Sequence, residues 1–195
     1  VYKRQVHDCL VGSALADLDP GATVATGSPR RRALLLDIRP DLNVVDLRGN
    51  IATRLACLDQ TGIDAIVMAT VALERLGERP AVVDELDPEL FVPQVGQGAL
   101  AVEHRADDER VAGLTAALDH APTNLTVTAE RSFLATLGGD CNLPAGAHAV
   151  VGADGKLTIR GVLAGSGSLL RAEVVDLPQA DPGRLLAQRL LTTSG

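Results

Sequence analysis

Six arginines lie between Thr26 and Arg54: Arg30, Arg31, Arg32, Arg39, Arg48 and Arg54, against Asp37, Asp41 and Asp46. No lysine occurs in that stretch, and 16 of the 18 basic residues of the chain are arginine. The rigid fork of the guanidinium suits bidentate capture of carboxylate or phosphate. A local cationic surface inside a chain of net charge −7 points to a small polyanionic ligand. A nucleic-acid binder is more often basic overall. GC-rich coding DNA would account for the number of arginines, but not for their placement. Cys141 is the second residue with chemical potential. It sits in Gly138-Gly139-Asp140-Cys141-Asn142-Leu143-Pro144, where glycines and a proline fix a loop around a thiol suited to act as nucleophile or covalent anchor. Cys57, beside Leu55 and Leu58, and Cys9 read as small buried hydrophobes.

The elements that must position these residues alternate between strand and helix over 21–77. Thr23-Val24-Ala25 is a short strand. Ser28 caps and Pro29 opens a helix that carries Ala33 to Leu36 and stops before Pro40. Asn43 to Leu47 is the next strand. Asn50 caps a helix whose Ile51, Leu55 and Leu58 share a face, and Gly62 ends it. Asp64 to Ala69 is a buried strand, followed by a helix capped by Thr70 and ending at Leu76-Gly77. Such alternation predicts a parallel or mixed sheet with helices packed on it. Ser28, Arg30, Arg31, Arg48, Asn50 and Arg54 then fall at strand-to-helix junctions or one turn beyond. There ligands bind, and helix N-termini favour anions. The competing reading leaves these side chains in solvent or paired with nearby aspartates.

Residues 78–93 are rich in proline and acid and read as a linker. Val95 to Ala99 bends into an expected strand, Leu100-Ala101-Val102-Glu103. Thr123 to Leu137 is a helix anchored by Leu125, Val127, Phe133 and Leu134, stopped by Gly138-Gly139. Strands are expected at 146–152, 156–164 and 169–176, the first pair joined at Asp154-Gly155. An amphipathic helix over Arg184 to Leu191 closes a small α+β unit.

Composition bounds the function. At 195 residues the chain can bury a sizeable core. Hydrophobic residues make up 46% and aromatics 2%, which argues against aromatic platforms for single-stranded nucleic acid or sugar. No apolar run reaches the length of a membrane helix, and no leader pattern is present. Three widely spaced cysteines suit neither a disulfide framework nor a zinc site, and point to a reducing cytoplasm. Val1-Tyr2-Lys3-Arg4-Gln5 holds the only tyrosine and one of the two lysines, and reads as a foreign junction.

Five motifs occur in order: Ala25-Thr26-Gly27-Ser28-Pro29-Arg30-Arg31, Leu47 through Leu55, Asp64-Ala65-Ile66 with Leu73-Glu74-Arg75-Leu76-Gly77, Val95 to Ala99, and Gly139 to Pro144. From Asp8 onward the set resembles porphobilinogen deaminase, also called hydroxymethylbilane synthase. That family condenses four porphobilinogen molecules into a linear tetrapyrrole, with release of ammonia, on a dipyrromethane primer bound through a cysteine thioether. The resemblance implies that Cys141 is the covalent anchor. It implies that Ser28, Arg30, Arg31, Arg48 and Arg54 bind the dipyrromethane cofactor, that Arg75 and Gln97 bind substrate, and that no metal is needed. It further implies a cytoplasmic enzyme, monomeric when full length, that takes porphobilinogen and neither nucleic acid nor membrane.

The implied fold class is α/β, with a periplasmic-binding-protein-like α/β domain over 6–92. A strand–helix segment over 93–117 returns to a mostly missing first domain, and a C-terminal α+β domain with a three-stranded antiparallel sheet spans 118–195. The catalytic aspartate is expected upstream of residue 1. Asp8 aligns after it, and a chain without that acid is expected to be inactive alone. Two departures stand out. Gly27 replaces a usual Ser or Thr, and Asp140 replaces a usual glycine and would raise the neighbouring thiol's pKa. Two other readings remain: a non-catalytic carboxylate-binding module, and an orphaned gene piece.

Overall fold

The computed structural model describes residues 6–59, 62–139, 143–165 and 168–193. Its first half is a five-stranded mixed sheet built from β1 (Asp8–Val11), β2 (Thr23–Ala25), β3 (Asn43–Val45), β4 (Ala65–Ala69) and β5 (Val83–Glu85), in the order β3-β2-β4-β1-β5. The strand β2 runs parallel to both β3 and β4, whereas β1 is antiparallel to β4 and β5. Alternation along the strands sends Leu10, Val24, Ala65 and Val67 into one core, with Leu34 and Leu35 of α1 (Pro29–Ile38). Cys9, Val11, Ala25, Ile66 and Met68 enter the opposite core, covered by α2 (Ile51–Ala56) and α3 (Thr70–Leu76). Helices on both faces explain why these strands are apolar at nearly every position.

Local chemistry sets the helix starts. The Ser28 side chain accepts from the Arg31 backbone N–H, and Pro29 occupies the first turn. Asn50 accepts from Thr53 N at 2.9 Å. Gly77 ends α3 in the left-handed region, at φ 69°. Thr70 does not cap α3. It lies inside the helix, Ala69 holds the cap position, and no side chain bonds there. The helix after Asn50 is shorter than its apolar spacing suggests, passing at Cys57 into a 3-10 turn.

The second sheet is antiparallel, β6 (Ala145–Val151), β7 (Leu157–Ala164) and β8 (Leu169–Asp176), in chain order. It is backed by α5 (Ala121–Thr136) and α6 (Pro182–Thr193), with Phe133, Ile159, Leu186 and Leu190 at the core between them. Gly183 lets the two helices cross closely, because a Cβ there would run into the Ala129 carbonyl. In chain order α4 (Glu109–Ala116) falls between the strands of the two sheets.

Three expectations fail here. Residues 78–93 are not a linker: β5 pairs with β1, and Leu86, Phe91 and Val92 are buried. Proline and acid content masked a sheet edge that packs through its flanks. Leu100 to Glu103 forms no strand. No strand lies beside it among the described residues, and Leu100 and Val102 are exposed. The buried stripe of α5 is Thr123, Thr126, Ala129, Glu130 and Phe133, while Leu125 faces out.

The two sheets touch at a specific place. A Cβ on Gly146 of β6 would lie 2.6 Å from the Pro93 carbonyl oxygen and 2.7 Å from Cδ of Arg30. Arg171 reaches across to Asp37 at 2.8 Å and to the Leu90 carbonyl at 2.8 Å. Arg160 pairs with Glu89 at 3.0 Å. Gly146→Val is therefore expected to destabilise the chain by about 1–3 kcal/mol through overpacking against backbone. A thermal melt indistinguishable from wild type would show that the sheets do not dock through Gly146.

Candidate functional site

The connections after β2 and β4 leave on opposite faces, to α1 and to α3. That makes the carboxyl ends of these neighbouring strands a topological switch point, where open α/β sheets hold their ligands. Asp8 begins β1 opposite Ala69, so the antiparallel strand delivers a carboxylate to the same end.

Asp8 is fully buried and is the hub of the site. Its Oδ2 accepts from Arg30 Nη2 at 2.8 Å. Its Oδ1 accepts from Arg31 Nη2 at 2.7 Å, Arg31 Nε at 3.1 Å and Gln97 Nε2 at 3.1 Å. Arg30 Nη1 also donates to the Val92 carbonyl at 2.6 Å, Arg31 Nη1 to the Val67 carbonyl at 3.2 Å, and Gln97 Nε2 to the Val6 carbonyl at 2.6 Å. Burial opposes ionisation of Asp8, but Arg30 and Arg31 outweigh it and hold the carboxyl below the usual carboxylate range. Arg30, 2% exposed, lies beneath the surface with its Nε unpartnered among the described residues. Arg31 is 12% exposed.

The outer arginines are differently placed. Arg48 follows β3 with its side chain 91% exposed, touching only Asp46, at 3.4 Å, among the described residues. Arg54 donates Nε to the Gly49 carbonyl at 2.8 Å, and Arg75 reaches the Gly98 carbonyl at 3.4 Å. Most of their N–H groups have no partner among the described residues. Gly27 draws the loops after β2 and β3 together: a Cβ there would collide with the Leu47 carbonyl, so the chain path leaves no room for a larger residue.

Arg30, Arg31 and Gln97 thus converge on one carboxylate, and Arg75 touches the loop that carries Gln97. Ser28 serves the α1 cap, while Arg48 and Arg54 sit on the neighbouring β3–α2 connection. Cys141 and Asp140 lie outside the described residues. Two buried residues escaped the sequence reading. One is the role of Asp8, whose signal was an acid opening an apolar run. The other is Glu130, at core spacing from Phe133, which accepts from Gly96 N at 2.9 Å and Ala149 N at 2.8 Å. Glu130 and Asp8 hold the Val95–Ala99 loop from both sides, and Gly96 and Gly98 turn it with φ of 72° and 83°.

An open cavity of about 590 Å³ lies between residues 95–104, α4 and α5, with Arg131 in its wall. Among the described residues no cluster of His, Cys, Asp and Glu could hold a metal ion, and no helix is long and apolar enough to cross a membrane.

Residues 1–113 match the family described as porphobilinogen deaminase, dipyromethane cofactor binding domain, and residues 124–176 match porphobilinogen deaminase, C-terminal domain. The chain belongs to the porphobilinogen deaminase family. The porphobilinogen deaminase of Nitratidesulfovibrio vulgaris strain Miyazaki F is 49% identical over 151 residues, covering 77% of this chain and 48% of that protein. That of a Roseiflexus species is 43% identical over 195 residues, covering 97% and 64%. That of Thermus thermophilus is 44% identical over 200 residues, covering 99% and 66%. The chain spans about half to two thirds of the length of these deaminases. Cys141 falls in the part matched by the C-terminal deaminase model, and the arginine site in the cofactor-binding part.

Proposed function

We propose that this chain carries the carboxylate-binding and primer-anchoring part of a hydroxymethylbilane synthase, a transferase that joins porphobilinogen units in tetrapyrrole biosynthesis. The supporting observation is the set of unspent guanidinium donors on Arg48, Arg54 and Arg75 around a switch point already charged by Arg31. A pyrrole bearing acetate and propionate groups matches that donor set, and each added ring brings two further carboxylates. The residues present fit a dipyrromethane. Ser28, Arg30, Arg31, Arg48 and Arg54 would hold its carboxylates, with Arg30 acting from beneath, and Cys141 would tether it. When bound, it supplies the pyrrole end to which the next ring is joined.

The chain's own residues divide the work. Arg31, Arg48 and Arg54 neutralise carboxylates as they arrive, so the anion can lengthen without mounting repulsion. Arg75 and Gln97, on either side of the Gly98 contact, orient an incoming porphobilinogen. Asp8 is held ionised by two arginines and is a poor donor to a leaving amine. This reading therefore leaves proton delivery to another carboxylate, outside the site set assigned here. It places the enzyme in the cytoplasm.

Arg48→Leu is expected to weaken porphobilinogen binding by about tenfold or more, since charge-assisted hydrogen bonds contribute about 1.5–3 kcal/mol each. The melting temperature should stay within error, because the side chain is solvent-exposed. Calorimetric titration beside a thermal melt checks both. Unchanged affinity, or a large fall in melting temperature with normal affinity, would make Arg48 a structural residue and remove the main support for this reading.

A further inference from the structure

We infer that Asp8 is a positioning residue: its ionised carboxylate, braced by the Gln97 amide, holds the Arg31 guanidinium in the arrangement from which the site takes up a carboxylate ligand. The inference rests on the function proposed above and adds to it a residue that touches no ligand itself.

Asp8 is fully buried, yet four donor nitrogens from two separate elements close on its two oxygens. Arg31 and Gln97 come from α1 and from the Val95–Ala99 loop, 66 positions apart in the chain (97 − 31). Both side chains have several rotatable bonds, and freezing them costs entropy that a ligand would otherwise have to offset. Asp8 fixes them beforehand. It takes two N–H groups of Arg31, and the Val67 carbonyl takes a third. A guanidinium has five, so two remain for a ligand at the partly exposed edge.

Asp8 also cancels one of two adjacent positive charges. Without it Arg30 and Arg31 would repel each other and splay. A carboxylate at this place supports the arginines from behind, as an acid behind a histidine fixes that ring before chemistry begins. A wholly structural Asp8 would stabilise the fold and leave affinity untouched.

The test uses the 195-residue chain labelled for arginine side-chain nuclear magnetic resonance and titrated with porphobilinogen. In wild type the Arg31 Nε–Hε signal should exchange slowly with water and shift on titration. In Asp8→Asn the signal should exchange fast, and affinity should fall by about tenfold or more, at a temperature where the backbone spectrum stays dispersed. Should that variant not fold, Asp8→Asn combined with Arg30→Met removes the buried charge left behind and is read against Arg30→Met alone. The same losses are then expected. A folded variant with unchanged affinity and an unchanged Arg31 signal overturns the inference alone. A wild type whose Arg31 and Arg48 signals both ignore porphobilinogen overturns the proposed function and this inference with it.

Discussion

Asp8→Ala is expected to cost about 3–5 kcal/mol of folding stability, the range for breaking a buried pair by removing one partner. The cause is not the lost attraction by itself. Arg30 is 2% exposed, and without Asp8 its charge keeps only the Val92 carbonyl as partner among the described residues. The pH dependence has a definite sign. The folded Asp8 carboxyl lies below its ordinary value, so between the folded and unfolded values the unfolded chain binds more protons. The Asp8 contribution is therefore fully present above about pH 4, the unfolded carboxyl value, and is lost as pH falls through the folded value. In Asp8→Ala the acid side of the stability curve should be shallower than in wild type. Chemical denaturation across the acid range measures both effects. A variant within about 1 kcal/mol of wild type at neutral pH would mean that water reaches Arg30 and the hub is not dry.

Much of the first sheet was legible because its signals are local. Thr23–Ala25, the Ser28 cap with Pro29, the Asn50 cap and the Gly77 stop each depend on one or two residues whose backbone preferences are strong. The hairpin at Asp154-Gly155 and the three C-terminal strands were legible for the same reason. What escaped notice depends on distant partners. The edge strand β5 has only three residues, and its pairing with Cys9, Leu10 and Val11 follows from the position of β1, not from its own composition. Leu100 to Glu103 has strand-like alternation, but alternation needs a neighbouring edge to become a strand. In α5 the apolar count favoured Leu125, whereas the packing of α6 through Gly183 selects the face with Ala129 and Phe133.

The site shows the same division. The clustering of arginines at helix starts was readable, but how each guanidinium is used was not. Arg30 and Arg31 pair with an aspartate, as the competing reading required, yet the partner is Asp8, 22 residues away in sequence from Arg30, and not the nearby Asp37, Asp41 or Asp46. Those neighbours engage elsewhere: Asp37 with Arg171, Asp41 with Arg39 and Asp46 weakly with Arg48. Burial decides the difference, since the surface pairs are screened and the inner one is not. The consequence is a buried Arg30 committed to the fold, an Arg31 that is anchored yet keeps an exposed edge, and an outer set, Arg48, Arg54 and Arg75, with donors to spare.

Cys141→Ser is expected to abolish a covalent pyrrole adduct altogether, while Cys9→Ser and Cys57→Ser leave it in place. The three thiols differ in what they can do. Cys9 is fully buried, and burial pushes its thiol up to about 11. At neutral pH about one molecule in ten thousand would carry the thiolate there. Cys57 is only partly buried, against the expectation of a core position; it packs with Leu55 and Leu58 on the edge of the core and donates to the Thr53 carbonyl at 3.3 Å. Cys141 alone is set between a double glycine and a proline, just ahead of β6, the strand whose Gly146 rests on Arg30 and Pro93. Intact-mass spectrometry of the chain extended at its N-terminus to the length of its relatives, exposed to porphobilinogen or produced in cells that make it, should show an excess over the sequence mass. That excess should vanish only in the Cys141 variant. An excess that persists in Cys141→Ser would move the anchor to another residue. A wild type that binds porphobilinogen through Arg48 but never gains mass would favour the carboxylate-binding module, which has no use for a tethered primer.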